Sequence, residues 1–463
     1  MRRPRPRSVW LVLLVAVLLL GAGLGGYFEI RAIRGHHAPA ATPSRTIPPE
    51  LAAATAVPES PPNSAGPAPR PAAVAAVLKS VLADPALGTR LLARVVDVQS
   101  GTVLYDRQGA TVAAPASTAK LLTATAVLSV HVATDRITTS VLAGRSGTIV
   151  LVGGGDPTLT GAPAGKAGAY PDAARISDLA AQLTKQHIVV SEIVVDSTLF
   201  TGPAVSPAWD AADVPSEYAS AITALMTDGG RETPGARIRS TTPDLAAGHE
   251  LAAALGKPDL PVARGTAPAS AATLATVRSA PIGELVRQML QPSDNVLAEM
   301  LARQVALAVH QPASFDGAIV AVRSVLGGLG VQIGDGLHDG SGLAASDRVS
   351  PVALTAVLRL IAGGSRPGLA GIVTSLPVAA WSGTLADRYL PGGSAAAGAG
   401  VVRAKTGTLT GVSTLAGLVH DASGRLLAFA FIADQVAPGA GPTADAESAL
   451  DDVASHLASC GCS

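Results

Sequence analysis

The chain of 463 residues is 48% hydrophobic and carries 34 basic against 34 acidic residues, a composition that builds a large core and excludes a disordered, highly charged polymer. Beyond the first residues it has neither a basic block nor basic residues interleaved with aromatics, so nucleic acid is not an expected partner. Its only cysteines, Cys460 and Cys462, stand at the C-terminus, so packing rather than a disulfide framework must hold the fold.

A bridge across one residue is strained, and the two cysteines read as loosely held terminal thiols or a local redox pair. The nine histidines form no HExxH or other metal-ligand spacing, so neither a metal nor another cofactor is expected.

Residues 1–8 form a basic tail with Arg2, Arg3, Arg5 and Arg7, and residues 9–28 run without a charge, a length of ~20 residues that suits a membrane span. The basic flank keeps that end in the cytoplasm and places the remainder of the chain outside it. A retained single-pass anchor is the expectation, because the apolar run exceeds the ~7–15 residues of a signal-peptide core; if the segment is cleaved, the rest is secreted. Residues 29–71 are rich in Pro and Ala, with Pro48-Pro49 and Pro61-Pro62, and read as an extended linker.

Folded structure is expected from residue 72, first as a helix over 72–82 and then as a strand over 91–98 that turns at Ser100-Gly101. Ser117-Thr118-Ala119-Lys120 precedes the apolar residues Leu121, Leu122, Ala124, Val127 and Leu128, the pattern of a buried helix starting near Ser117. Residues three apart lie on one helix face, so Lys120 in a desolvated cleft can act as base toward the Ser117 hydroxyl. Ser-x-x-Lys alone recurs by chance as a plain helix start. Here, however, the chain has six lysines, and only Lys120 has a serine three positions before it.

Residues 72–142 thus form a first part, and residues 143–278, with short strands over 148–152 and 188–195, read as an inserted mainly-β domain. The remainder, 279–463, resumes with helices over 282–290 and 296–308. Between them Ser293-Asp294-Asn295 occupies a turn, which could be an ordinary helix cap. Yet Asn295 and Asn63 are the only asparagines in the chain, so its presence here points to function. Lys405-Thr406-Gly407-Thr408 lies on a strand whose glycine permits close approach of a ligand, where a cation and hydroxyls can hold a carboxylate. A hairpin over 412–419 and 426–433 and an amphipathic helix over 443–457 complete the chain.

Serine-x-x-lysine, Ser-Asp-Asn and Lys-Thr-Gly, in this order, resemble the motifs of serine penicillin-recognising enzymes. The 176 residues separating Ser293 from Ser117 leave room for an insertion. Over 72–457 the chain resembles the D-alanyl-D-alanine carboxypeptidase/endopeptidase family, the low-molecular-mass class C penicillin-binding proteins of peptidase family S13. Supporting stretches are Gly153-Gly154-Gly155-Asp156-Pro157-Thr158-Leu159, Asp339-Gly340-Ser341-Gly342-Leu343 with Arg348-Val349-Ser350-Pro351, Leu376-Pro377-Val378 and Gly383-Thr384-Leu385.

The resemblance implies an α+β, β-lactamase/transpeptidase-like fold: a helical subdomain plus a five-stranded antiparallel sheet flanked by helices, behind an N-terminal transmembrane helix. It implies a serine D,D-peptidase that acts on peptidoglycan stem peptides and is inhibited by β-lactams. Ser117, Lys120 and Ser293 would be catalytic; Asn295, Lys405, Thr406, Gly407 and Thr408 would bind substrate. Asp156 and Arg348 would contact a diaminopimelate-type side chain, although a Gly-Asp-Pro turn and a surface ion pair explain them equally well. Two alternatives are a β-lactamase, whose Glu-x-x-x-Asn arrangement is missing from the folded part, and a non-catalytic cell-wall scaffold. Whether the bond cut is the terminal D-Ala or a D,D cross-link stays open at this level.

Overall fold

The structure is a computed structural model that describes residues 66–463. The expected basic tail, the apolar segment 9–28 and all but the end of the linker lie outside the described residues. Among the described residues no helix is long and apolar enough to cross a membrane.

The elements follow in chain order as α1 (Pro71–Leu78), β1 (Leu91–Asp97), β2 (Val103–Arg107), α2 (Lys120–Val130), β3 (Thr138–Ala143), β4 (Thr148–Val152), α3 (Ile176–Lys185), β5 (Glu192–Asp196), α4 (Pro243–Ala254), β6 (Val262–Arg264) and β7 (Thr273–Arg278). They continue as α5 (Ile282–Leu290), α6 (Asn295–Ala308), α7 (Phe315–Gly328), α8 (Pro351–Ala362), α9 (Ala370–Ser375), β8 (Arg403–Leu409), β9 (Val412–His420), β10 (Leu426–Ala433) and α10 (Ala440–Ala458).

The first sheet joins the two ends of the chain in the order β2-β1-β10-β9-β8 and is antiparallel throughout. Strand β10 is buried along its whole length, and its alternating side chains serve two cores. Leu427, Phe429 and Phe431 face the core closed by α1 and α10. Leu426, Ala428, Ala430 and Ile432 face the core of α2 and α5–α9. The small Ala428 and Ala430 leave room for α8 to lie on that face. Central strands covered on both sides lose the apolar/polar alternation of a half-exposed sheet, which is why β10 reads as a continuous apolar run.

A second sheet, β6-β5-β4-β3-β7, spans Thr138 to Arg278, so its first strand begins ahead of residue 143. It differs from the mainly-β expectation. Strands β4, β5 and β6 run parallel, and parallel neighbours need crossovers, which α3 and α4 supply. Ile176, Leu179, Ala180 and Leu183 place the apolar face of α3 on this sheet, with Leu251 and Ala252 of α4 in the same core.

Of the two readings of the terminal cysteines, the structure fits the local pair rather than loosely held thiols. Cys460 and Cys462 are joined to each other, are buried, and belong to the core beneath α10.

Candidate active site

Ser117 lies on a 3-10 turn, Ala116–Ala119, that leads into α2, rather than on the α-helix itself. Side chains three apart eclipse in such a turn, and Lys120 Nζ donates to Ser117 Oγ at 2.8 Å. The turn is anchored through Pro115, whose carbonyl accepts from Thr118 Oγ1 at 2.6 Å and from Thr414 Oγ1 of β9 at 3.0 Å. Ala116 has φ 45°, a strained region for a residue with a Cβ. Its carbonyl leaves no room beside Gly342, where a Cβ would lie 1.8 Å away.

Lys120 is completely buried. Its Nζ also donates to Asn295 Oδ1 at 2.6 Å and to Ser341 O at 2.8 Å. Burial pulls its pKa down to about 8, while the carboxylates of Asp339, Asp294 and Glu299 pull it up. An ammonium satisfies all three acceptors; a neutral amine has only two N–H groups. On deprotonation, Asn295 and Ser341 retain those two and the Ser117 hydroxyl turns to donate into the Nζ lone pair.

The Ser-Asp-Asn turn joins α5 to α6 with Ser293 at φ 62°. Its middle residue, which sequence reasoning leaves out of the site, holds it in place. Asp294 caps α6 by accepting from Val296 N and Leu297 N at 2.9 and 3.1 Å. Its other oxygen accepts from Tyr170 Oη at 2.8 Å and Arg239 Nη2 at 2.9 Å. Burial alone would raise its pKa, but Arg239 and Arg231 hold the carboxyl far below the usual range. Asn295 Nδ2 donates to Tyr218 O at 3.2 Å.

Lys405 is buried on β8, with Nζ donating to Thr406 O at 2.8 Å. Burial, then Lys120, then Arg388 hold its pKa well below the usual lysine range. Gly407 passes so close to the nucleophile that a Cβ there would lie 2.8 Å from Ser117 N and 2.3 Å from Thr414 Oγ1. Ala404 N donates outward to Pro377 O; by strand alternation Thr406 and Thr408 present their N–H and C=O groups on that same outer edge. Thr406 Oγ1 donates to Thr384 Oγ1 at 2.8 Å, and Thr408 Oγ1 donates to Glu447 Oε1 of α10 at 2.6 Å.

Behind Lys120 lies a second support, which sequence reasoning reaches only as a family-like stretch. Asp339 accepts from Ser341 N, Gly342 N and Ala344 N at 3.0, 2.6 and 2.7 Å and from Trp209 Nε1 at 2.7 Å, which fixes the loop carrying Ser341 O. Nearby, Glu299 is raised to about 7 by burial and by Asp339. Among the described residues no group of three or more His, Cys, Asp or Glu side chains is placed to hold a metal ion.

The two remaining candidates stand apart from this cluster. Asp156 is buried in a turn, accepting from Thr158 N and Thr158 Oγ1 at 2.8 and 2.6 Å, and burial pushes its pKa up to about 6. Arg348 is exposed and donates to the carbonyls of Ala345 and Asp347. Neither hydrogen-bonds a residue of the three motifs.

The family model described as D-Ala-D-Ala carboxypeptidase 3 (S13) matches residues 74–237 and 231–457. The chain is similar to a Mycobacterium tuberculosis carboxypeptidase, 42% identical over 400 residues and 85% of each chain. It is also similar to the carboxypeptidase DacB of Mycolicibacterium smegmatis, 40% identical over 98% of each. Among solved structures, penicillin binding protein 4 of Haemophilus influenzae superposes with a TM-score of 0.66 at 23% identity, covering 82% of this chain and 98% of that one, a likeness of fold.

Proposed function

The chain belongs to the D-Ala-D-Ala carboxypeptidase (S13) family and is a serine D,D-peptidase, and from that premise we infer how its own residues perform the reaction. Ser117 Oγ attacks the carbonyl carbon of the penultimate D-Ala of a stem peptide as its proton passes to Lys120 Nζ. The resulting oxyanion sits between the N–H groups of Ser117 and Thr408. The C–N bond then breaks, and the departing amine takes a proton relayed through Ser293 and Lys405. Water attacks the ester, giving up a proton to the site, and frees the shortened peptide and Ser117.

Asn295 positions both Lys120 and a substrate amide. Thr406, with Thr384 behind it, faces the terminal carboxylate; Thr408 contributes its backbone, because its hydroxyl is committed to Glu447. The observation that carries this reading is the threefold contact of a buried lysine with Ser117, Asn295 and Ser341. A lysine buried without a catalytic task is rare, since the charged form is strongly disfavoured there. Family membership and the complete set of motifs favour the peptidase over the β-lactamase or scaffold alternatives.

The reaction is tested by intact-mass analysis of the folded part after incubation with a penicillin. A single penicilloyl adduct is expected, absent from Ser117→Ala; no adduct on folded wild-type protein would overturn the mechanism. For location, Arg2, Arg3, Arg5 and Arg7 followed by the uncharged 9–28 segment support a single-pass anchor with the peptidase outside. Recovery of the full-length chain in the membrane fraction, and its release on deletion of residues 1–28, tests that.

A further inference from the structure

Behind Lys120, Asp347 adds a further carboxyl that none of the three motifs accounts for. Like Glu299 and Asp339 it is fully shielded from solvent. Its Oδ1 accepts from His338 N at 2.6 Å. Its Oδ2 is buried and receives no N–H or hydroxyl donor, while the Asp347 and Asp339 side chains hydrogen-bond each other. Two carboxyls can bond only through a proton that one of them carries. Asp339 accepts the N–H groups of Ser341, Gly342, Ala344 and Trp209 and is therefore the ionised partner. The proton sits on Asp347, because two like charges in contact at a buried position cannot both persist.

The charged groups around Asp347 do not reverse this. Burial and then Asp339 push its pKa up to about 10, and Glu299 adds in the same direction. Arg303 lies 3.6 Å from Glu299 and stacks over Phe315. Arg348 donates to the backbone carbonyls of Ala345 and Asp347. The half-exposed His338 ring has Nδ1 3.3 Å from Oδ1, longer than an ordinary N–H···O bond. Between the two carboxyls runs the loop that meets the reacting groups. Ser341 O accepts from Lys120 Nζ at 2.8 Å, and a Cβ on Gly342 would lie 1.8 Å from Ala116 O, one residue before the nucleophile. On the other side a Cβ on Gly340 would lie 2.7 Å from the Cβ of Ala302 on α6. A loop wedged in this way passes any shift of Asp339 on to both Lys120 and Ser117.

We infer that Asp347 is a positioning residue for acylation: as a neutral carboxylic acid it donates a hydrogen bond to Asp339, and so holds the Ser341 carbonyl against Lys120 and Gly342 against the Ser117 turn. This rests on the serine mechanism above and adds to it a group outside the three motifs.

The test is single-turnover penicillin acylation as a function of pH in Asp347→Asn and Asp347→Leu, with folding checked by near-UV circular dichroism. The amide of Asn keeps a donor for Asp339 without adding charge, so acylation is expected to stay within about threefold of wild type, with the midpoint of its acid limb in place. Leu fills the space without a donor, and acylation is expected to slow about tenfold, one hydrogen bond to a charged group. If Asn moves that midpoint down by about half a pH unit or more, Asp347 carries a charge near Lys120 in the folded enzyme and the inference is overturned. Folded Leu variant that acylates as fast as wild type overturns the positioning role. A measurement independent of turnover is the infrared difference spectrum of wild type minus Asp347→Asn at neutral pH. A protonated-carboxyl band is expected there, and its absence overturns the inference even where Leu does not fold. An adduct in wild type without these effects removes Asp347 alone, whereas no adduct in wild type removes the serine mechanism itself.

Discussion

Arg239 Nη2 donates to Asp294 Oδ2 at 2.9 Å, with both side chains only 4% exposed. Arg239 comes from the stretch that carries the strands of the second sheet and Asp294 from the catalytic turn, so that stretch forms part of the wall of the site. Tyr170 and Arg231 of the same stretch complete the clasp, Arg231 Nη1 donating to Tyr170 Oη at 3.0 Å.

Removing one member of a buried pair strands the other charge, at about 3–5 kcal/mol. Arg239→Gln is therefore expected to lower Tm by several degrees or more in thermal unfolding and to slow penicillin acylation, because Ser293 and Asn295 lose their common anchor. Arg323→Gln, at an exposed pair with Asp335, is the matched control and is expected to leave Tm nearly in place. Equal Tm values for the two variants would show that the clasp carries no stability.

Those residues also mark where reading the sequence stops. The three motifs were legible because each pairs a rare residue with a local pattern: one Ser-x-x-Lys, one folded asparagine, one lysine on a strand. The hairpin β9–β10 and helices α5 and α6 were legible from periodicity. Asp294 was visible within its motif, but its role depends on Tyr170 and Arg239, 124 and 55 residues away in the chain, and no local pattern encodes that. The parallel part of the second sheet was missed for a similar reason. The spacing of Ile176, Leu179 and Leu183 is helical, but which strands α3 connects is a property of topology.

The buried Lys120 sets a pH dependence. Its folded pKa is about 8, below the free value because burial disfavours the ammonium. Only the neutral amine can take the Ser117 proton, so acylation is expected to fall about tenfold per pH unit below that midpoint and to level off above it. Glu299 is one of the carboxylates that raise the Lys120 pKa; Glu299→Gln removes that support and is expected to move the rising limb to lower pH. Single-turnover acylation measured about two pH units either side of the midpoint checks both, and a flat profile would exclude Lys120 as the base.

Gly407→Ala probes the approach of β8 to the nucleophile. The added Cβ meets backbone at Ser117 N and the Thr414 hydroxyl that holds Pro115, so strand and turn must separate. Displacing one oxyanion donor typically lowers the rate by about 10²–10³-fold, and a loss of that order in acylation is expected at a modest change in Tm. Acylation within a few-fold of wild type would show that the N–H of Thr408 is not a donor to the oxyanion.

The two threonines of the third motif are expected to separate in function. Each is expected from the motif to grip the substrate carboxylate, yet their hydroxyls have different partners. Thr406 Oγ1 donates to Thr384, a neutral hydroxyl that can rotate and return a donor to the cleft, whereas Thr408 Oγ1 donates to Glu447 at 2.6 Å. A hydroxyl tied to a carboxylate has no proton left for a second one, and a substrate carboxylate beside Glu447 would meet like charge. Thr406→Val is therefore expected to raise KM for a D-Ala-D-Ala substrate about tenfold, one hydrogen bond to a charged group. Thr408→Val keeps the backbone N–H and is expected to change KM less than about threefold on the same scale. Steady-state kinetics on the two variants decides it: a larger effect at Thr408 would mean that substrate binding frees its hydroxyl from Glu447, and Glu447→Gln would then raise affinity for the carboxylate.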